Sequence, residues 1–215
     1  MARPRGSKAA RDRDLHARIA RWIPSGWDEL VAAWEELLPE ETDPDGSGPI
    51  VRRFQSSPIT PQLAGKVFER WIIGAFQAGG ARVEYPHKVP MPDHPESGVL
   101  EEIDGLVFDN WQGFLVQSKF WERQSVDFAP ISDFFDQVSR RPPGTLGLLF
   151  TAFSVSASAL EKAKRHSPQS LLLIQRDDIA WACTNRNMLQ LIERKWRGAV
   201  KFGRFDYEVF LETSP

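Results

Sequence analysis

The sequence is notable first for what it has little of. It contains one cysteine, Cys183, which excludes an internal disulfide and any cysteine-rich zinc site. No apolar run approaches the roughly 18 residues that a membrane-spanning helix needs. The arginines near the start have no apolar stretch behind them, so no secretory signal is visible. We therefore expect a cytoplasmic protein that does not use a membrane.

The chain also lacks a large excess of charge of either sign, but its charged residues are unevenly distributed along the sequence. The chain has 27 Lys and Arg against 29 Asp and Glu, a formal net charge of −2, which excludes a histone-like basic coat. Residues 1–21 carry seven basic and two acidic side chains, residues 22–49 carry eight acidic side chains and no basic one, and residues 186–204 carry six basic and one acidic. The basic segments could contact a polyanion such as nucleic acid. A solvated tail and a solvated helix face explain the same pattern more simply.

The length and apolar content predict one compact domain with short appendages. The chain has 215 residues, of which 41% are hydrophobic, enough to bury a sizeable core. Two helices are predicted before residue 40, the first with an apolar face of Leu15, Ile19, Trp22 and Ile23 and the second over residues 27–38. A turn-rich acidic segment follows at residues 40–49. We therefore predict a helical N-terminal extension and acidic linker at 1–50 and a main domain at 51–215.

The main domain opens with a strong helix signal. Thr60 and Pro61 are a typical N-cap and first helical residue, and the helix is predicted to reach Gln77 before two glycines. At about 100° per residue, Glu69 falls at the edge of the apolar stripe, beside Phe76. Strands and helices alternate from there on, which predicts an α/β fold with at least one parallel strand pair. The predicted strands are 81–85, 103–109, 113–120, 145–151, 170–175 and a short edge strand at 205–211; the predicted helices are 131–141, 156–165 and 187–197.

Two of these strands read as a hairpin with a polar cluster at one end. If the turn is centred between Asn110 and Trp111, paired residue numbers add to a constant, and Asp104 lies opposite Gln117 while Glu102 lies opposite Lys119. Gln117 and Lys119 then share a face with Asp104, with about 6.6 Å between them along the strand. The other face is predicted to be apolar, with Ile103 among its members.

The cluster has the composition of a site for a hard divalent cation. Mg²⁺ takes oxygen ligands, and Asp104 and Gln117 offer two side-chain oxygens, the carbonyl of Ser118 a third, and Glu69 a further carboxylate, directly or through water. Lys119 beside such a metal could position or help to deprotonate a water molecule, or neutralise the charge that develops on a phosphate. These groups together suit phosphodiester hydrolysis.

Structural roles for the same residues remain open at this point. Asp104 and Lys119 could form a cross-strand ion pair. Glu69 could be a helix-surface acid with Lys66 or Arg70 nearby. Trp111 and Trp121 could stack on a base, although packing is the simpler role for them. The four histidines have no metal-ligand spacing, and Cys183 is expected to be a small buried residue.

Three segments carry a resemblance to a known family. Residues 66–69 (Lys-Val-Phe-Glu), 102–108 (Glu-Ile-Asp-Gly-Leu-Val-Phe) and 116–119 (Val-Gln-Ser-Lys) resemble the PD-(D/E)xK nuclease superfamily, and most nearly its Mrr-like restriction endonuclease branch, which uses a Q-x-K variant. The resemblance continues through the strand and Ala-rich helix at residues 147–163 and covers about residues 60–180.

The resemblance implies a restriction-endonuclease-like core, in which a mixed central β-sheet is flanked by helices. It maps the helix acid to Glu69, the metal aspartate to Asp104, the variable acid to Gln117 and the lysine to Lys119. Gln117 replaces an acid, so one negative charge is missing and metal affinity should be lower. Gln137, in the following helix, could match a family position that touches the site.

The leading hypothesis is a Mg²⁺-dependent endonuclease that cuts DNA, with Mn²⁺ as a substitute metal and a role in defence against foreign DNA or in DNA repair. A homodimer, or a partner protein that supplies specificity, would be consistent with double-strand cleavage. The alternative is a non-catalytic nucleic-acid-binding or scaffold subunit that uses the nuclease fold. RNA cleavage is a third hypothesis.

Overall fold

A computed structural model of the chain describes residues 8–38, 51–90, 98–109, 112–120, 126–153, 155–165 and 170–209. Its helices are α1 (Lys8–Arg21), α2 (Trp27–Leu37), α3 (Pro61–Ala78), α4 (Phe128–Ser139), α5 (Ala157–Lys164), α6 (Arg176–Asn185) and α7 (Met188–Phe202). Its strands are β1 (Arg52–Phe54), β2 (Ser57–Ile59), β3 (Arg82–Glu84), β4 (His87–Pro90), β5 (Val99–Ile103), β6 (Gly105–Asp109), β7 (Gln112–Lys119), β8 (Leu146–Thr151) and β9 (Leu171–Ile174). None of the helices in these ranges is both long and apolar enough to cross a membrane.

The centre of the molecule is a mixed five-stranded sheet in the order β3-β6-β7-β8-β9. Strand β6 is antiparallel to both of its neighbours, β3 and β7, whereas β7, β8 and β9 run parallel and are connected by helical crossovers. The hairpin register is confirmed, because Gly105 pairs with Val116 and Asp109 pairs with Gln112. The fold is thus the α/β architecture with a mixed sheet and flanking helices that the sequence predicts.

Two apolar layers cover the two faces of the sheet. Alternation along β8 sends Leu148 and Phe150 towards α3 and Leu149 towards α4 and α5. The helix α3 begins as predicted, with the Thr60 side chain accepting a hydrogen bond from the backbone N–H of Leu63. Helices thus cover both faces of the sheet. Because β7 and β8 are parallel, their carboxyl ends lie at the same edge of it.

The two N-terminal helices share the core of the α3 side. Leu15, Ile19 and Trp22 of the first helix segment are buried there, whereas Ile23 is 50% exposed, so its predicted place on the apolar face is wrong. The Trp71 indole N–H donates to the backbone carbonyl of Leu30 at 2.7 Å inside this core. Both helices thus pack against α3; the acidic segment at 40–49 lies outside the described residues, and a boundary near residue 50 stays a prediction.

One predicted strand is divided in the structure. The backbone bends at Asp104, so residues 99–103 leave the central sheet and pair with β4 in a separate hairpin. Glu102 accordingly lies opposite Lys88, at 3.9 Å between charged atoms, and its predicted pairing with Lys119 is wrong. The same bend moves Ile103 into the apolar layer of α4 and α5 rather than the α3 face that alternation predicts.

Other differences lie in short elements. The hairpin of β1 and β2, strand β4 and helix α6 are absent from the sequence-based prediction. The edge strand predicted at 205–211 is wrong over its described part, residues 205–209, which form a turn. Phe205 is buried in the α4–α5 layer there, and its carbonyl accepts a hydrogen bond from the Leu173 N–H at 3.0 Å. Burial of Phe205 and Val209, together with a hydrogen bond from the Lys195 ammonium to the Tyr207 carbonyl, fixes this segment without a strand.

Candidate active site

Asp104 occupies the bend between β5 and β6 and turns its carboxylate towards β7. Its Oδ2 atom accepts hydrogen bonds from the backbone N–H and the Oγ–H of Ser118, both at 2.7 Å. The described residues make no hydrogen bond to Oδ1. The carboxylate is therefore held by one oxygen while the other can accept a new ligand.

The residue after the bend brings this acid close to α3. A Cβ atom on Gly105 would lie 2.5 Å from Ile73 Cδ1, a distance that real Cβ atoms do not show. Glycine at this position therefore allows the start of β6 to press against α3, which carries Glu69. This close approach explains why the short motif around Asp104 contains a glycine.

Glu69 lies at the edge of α3, as its position in the helix predicts, and its side chain is 15% exposed. The Lys66 ammonium donates to both carboxylate oxygens, at 3.0 and 2.9 Å, and the Tyr85 hydroxyl donates to Oε2 at 3.3 Å. Burial raises the pKa of the Glu69 carboxyl and the negative charge of Asp104 raises it further, whereas Lys66 and Tyr85 offset this only in part. The two acids are thus near enough to repel one another.

Lys66 and Tyr85 are site residues that sequence reasoning did not assign to the site. Burial by itself would lower the pKa of Lys66, but the hydrogen bond and charge of Glu69, together with the charge of Asp104, raise it. Burial raises the pKa of Tyr85, and the charge of Glu69 acts in the same direction. The i, i+3 spacing of Lys66 and Glu69 on a helix was a sequence signal by which Lys66 could have been found. The contact of Tyr85 with Glu69 depends on tertiary packing alone, so no sequence pattern indicates it.

Gln117 and Lys119 are placed next to this cluster without joining it. Both lie on the same face of β7 as Leu115, which packs towards α4 and α5, while Ser118 between them bonds to Asp104. Neither the Gln117 side chain nor the Lys119 side chain makes a hydrogen bond or ion pair with any described residue. The alternative of an Asp104–Lys119 ion pair is therefore not formed, and a metal site that includes Gln117 stays a prediction.

A second buried acid anchors the chain just ahead of Asp104. The Glu101 side chain is 6% exposed and accepts hydrogen bonds from Arg140 Nε at 2.8 Å and from an Arg141 guanidinium nitrogen at 2.6 Å. Burial acts to raise the Glu101 pKa, but the two arginines outweigh burial and hold it below its usual value. This contact ties β5 to the end of α4 and so helps to fix the bend. Sequence reasoning missed it, because the partners are about 40 residues away.

The donor set fits a hard divalent cation better than a soft one. The structure brings together two carboxylates, Glu69 and Asp104, whereas the Gln117 amide and the Ser118 carbonyl stay predicted ligands; the predicted set contains no sulfur or imidazole. In the described parts of the chain, no group of three or more His, Cys, Asp or Glu side chains is placed to hold a metal. The unbonded Oδ1 of Asp104 is the atom best prepared to bind one.

The remaining sequence candidates have simpler positions. Trp111, Trp121, His94 and His166 lie outside the described residues. Cys183 is buried, and burial raises the pKa of its thiol to about 12, which fits a packing role. Gln137 lies on α4 with a buried Oε1 atom that has no hydrogen-bond partner among the described residues.

Comparison with known proteins gives the following matches. The family model Mrr_cat, described as restriction endonuclease, matches residues 61–183, more than half of the chain. Among solved structures the chain is similar to "MspJI Restriction Endonuclease in Complex with 27-mer Oligonucleotide", with 18% identity and a TM-score of 0.30. That match covers 87% of this chain and 33% of the other, so the chain spans about a third of that protein's length. No curated protein matches the chain.

Proposed function

Since the chain belongs to the restriction endonuclease family, we propose that it hydrolyses phosphodiester bonds of DNA with a divalent metal ion, Mg²⁺ or Mn²⁺. The observation that carries the proposal is the Asp104 carboxylate, fixed through Oδ2 by Ser118 with Oδ1 left for a ligand, beside the second acid Glu69. An acid at the start of a central strand beside a second acid on a packed helix is a suitable arrangement for an oxygen-liganded cation.

Each residue has a distinct role in this proposal. Asp104 and Glu69 would hold the metal, with the Gln117 amide and the Ser118 carbonyl as further oxygen ligands. The ion, when bound, supplies positive charge for the scissile phosphate and a more acidic water. Lys119, whose ammonium makes no hydrogen bond or ion pair with any described residue, would orient the attacking water or neutralise charge on the phosphate.

Cleavage of supercoiled and linear DNA with Mg²⁺ or Mn²⁺ tests the proposal. We expect Asp104→Asn and Lys119→Met each to slow cleavage by about 100-fold or more. Asp133→Asn and Lys162→Met change the same residue types at exposed positions of α4 and α5 and should leave the rate unchanged. If both site variants cut as fast as the wild type, the assignment of the site is wrong.

A non-catalytic DNA-binding subunit is the second candidate. The observation in its favour is that the described residues hold no cluster of three acids, histidines or cysteines, so intrinsic metal affinity should be low. A wild type that cuts nothing with either metal but retards a DNA duplex on a gel would support this candidate. An RNA substrate assayed alongside separates ribonuclease activity.

The broader setting is also a proposal. Defence against foreign DNA or DNA repair is the role we associate with such an activity, and a homodimer or a partner protein would supply the second site and the specificity. Sedimentation with and without a DNA duplex would show whether two copies assemble on one substrate.

A further inference from the structure

Thr151, the last residue of β8, carries a hydroxyl that the fold leaves without a partner. The residue is 0% exposed, and its Oγ1 atom forms no hydrogen bond with any described residue. A buried hydroxyl that lacks a partner destabilises a protein relative to a valine of the same shape. The unpaired Thr151 hydroxyl thus lowers the stability of the folded state, and packing gives no reason for its presence.

The neighbouring strand supplies the complementary group. Thr151 is the register partner of Lys119, the last residue of β7, in a parallel ladder. Register partners in such a ladder point to the same face, with the strands about 4.8 Å apart. The Lys119 side chain makes no hydrogen bond or ion pair with a described residue, so a side chain with three donors and a hydroxyl that can accept belong to neighbouring residues of the ladder.

We propose that Thr151 is a positioning residue for Lys119: its hydroxyl accepts a hydrogen bond from the ammonium and so directs it towards the scissile phosphate when DNA is bound. In the structure described here the two residues are register partners and their side chains are not bonded to each other. The proposal rests on the proposed function in so far as Lys119 acts on the substrate, but the coupling between the two side chains does not depend on it.

Two substitutions at one position test the role against a structural one. Thr151→Val keeps the shape and removes the hydroxyl, and Thr151→Ser keeps the hydroxyl. We expect Thr151→Val to melt at the wild-type temperature or about 2–4 °C above it, because a buried unpaired group is lost. Its kcat for DNA cleavage should nevertheless fall by about 10-fold with KM unchanged, and Thr151→Ser should restore most of the rate.

Three results would overturn the inference. They are an unchanged kcat in Thr151→Val, a fall in KM and kcat that Thr151→Ser does not rescue, and a melting temperature of Thr151→Val well below that of the wild type. The last result would mean that the hydroxyl already has a structural partner in the folded protein.

A second measurement separates this inference from the proposed function. The rate of reductive methylation of Lys119 can be followed by peptide mass spectrometry in the protein bound to a DNA duplex without divalent metal, with exposed Lys162 as the internal reference. Loss of an accepting hydroxyl should make Lys119 react about two- to tenfold faster in Thr151→Val and not in Thr151→Ser. If the methylation rate changes but the protein cuts no DNA, the proposed function is wrong and the coupling of Thr151 to Lys119 stands. If the methylation rate and kcat are both unchanged, the coupling is wrong and the proposed function stands.

Discussion

Ser118→Ala is the substitution that best isolates the geometry of the candidate site. It removes the Oγ–H donor that lies 2.7 Å from Asp104 Oδ2 and leaves the backbone N–H, also at 2.7 Å, in place. Ser118 is 9% exposed, so water has poor access to replace the lost donor. The carboxylate keeps one of its two constraints and gains freedom to rotate away from the metal-binding orientation.

The size of the effect follows from the charge of the acceptor. A hydrogen bond to an ionised group contributes about 1.5–3 kcal/mol, and each 1.4 kcal/mol corresponds to about a tenfold change in affinity. The expected loss of metal affinity is therefore about 10- to 100-fold, which agrees with the range seen when a group that orients a metal ligand is removed. Folding stability should fall as well, but by less than would unfold the domain.

Mn²⁺ binding measured by calorimetry on the DNA-free protein is the direct assay. Ser139→Ala is the matched control, because this exposed serine donates to the Asp136 carbonyl at 2.8 Å and touches no acid of the site. We expect the control to bind Mn²⁺ as the wild type does and Asp104→Asn to bind it far more weakly. If Ser118→Ala binds Mn²⁺ with wild-type affinity, the orientation of Asp104 by Ser118 is irrelevant to metal binding and the argument fails.

Three further predictions concern charges inside the fold. Lys195→Met leaves Asp178 buried without the ammonium now 2.6 Å away and should cost about 3–5 kcal/mol, seen as a lower melting temperature that exposed Lys201→Met does not show. Glu69→Gln should raise the melting temperature at neutral pH and weaken Mn²⁺ binding, because the folded-state pKa of Glu69 is raised and its ionised form is disfavoured. The pKa of Glu101 is lowered in the folded state. Its contribution to the free energy of unfolding is therefore present above the unfolded-state pKa of about 4.3 and is lost as the pH falls through the folded-state pKa. Urea midpoints measured between pH 7 and 3 should show this loss, and Glu101→Gln should make the midpoint depend less on pH.

The central sheet was predictable because its strands are short apolar runs between clear turn signals. The pairing of Gly105 with Val116 follows once the turn is placed, since register has a period of two residues and one face must be apolar. The hairpin of β1 and β2 carries no such signal. Gln55 and Ser56 adopt left-handed φ angles of 47° and 61° at its turn, where glycine or asparagine would be the usual residue.

The sequence named the residue types of the candidate site, but not their contacts. The role of Glu69 and Asp104 as metal ligands stays a prediction, and one structural alternative, the pairing of Glu69 with Lys66, is formed. What could not be predicted depends on the bend at Asp104. The bend places the carboxylate where it accepts hydrogen bonds from the Ser118 N–H and hydroxyl, and it brings Glu101 to the two arginines that directly follow α4. A backbone bend of one residue has no periodic pattern by which a sequence could reveal it.

The Lys66–Glu69 ion pair helps to explain how two acids lie close together at the candidate site. Burial and then the negative charge of Asp104 raise the pKa of Glu69, and the nearby Lys66 ammonium offsets part of this rise. The Lys66 side chain is 61% exposed, so the pair contributes at most about 1 kcal/mol and can be separated cheaply. A divalent ion that binds Asp104 could therefore take over the second carboxylate at little cost. Lys66 would then be left as a mobile cation at the edge of the site, where a DNA phosphate would lie.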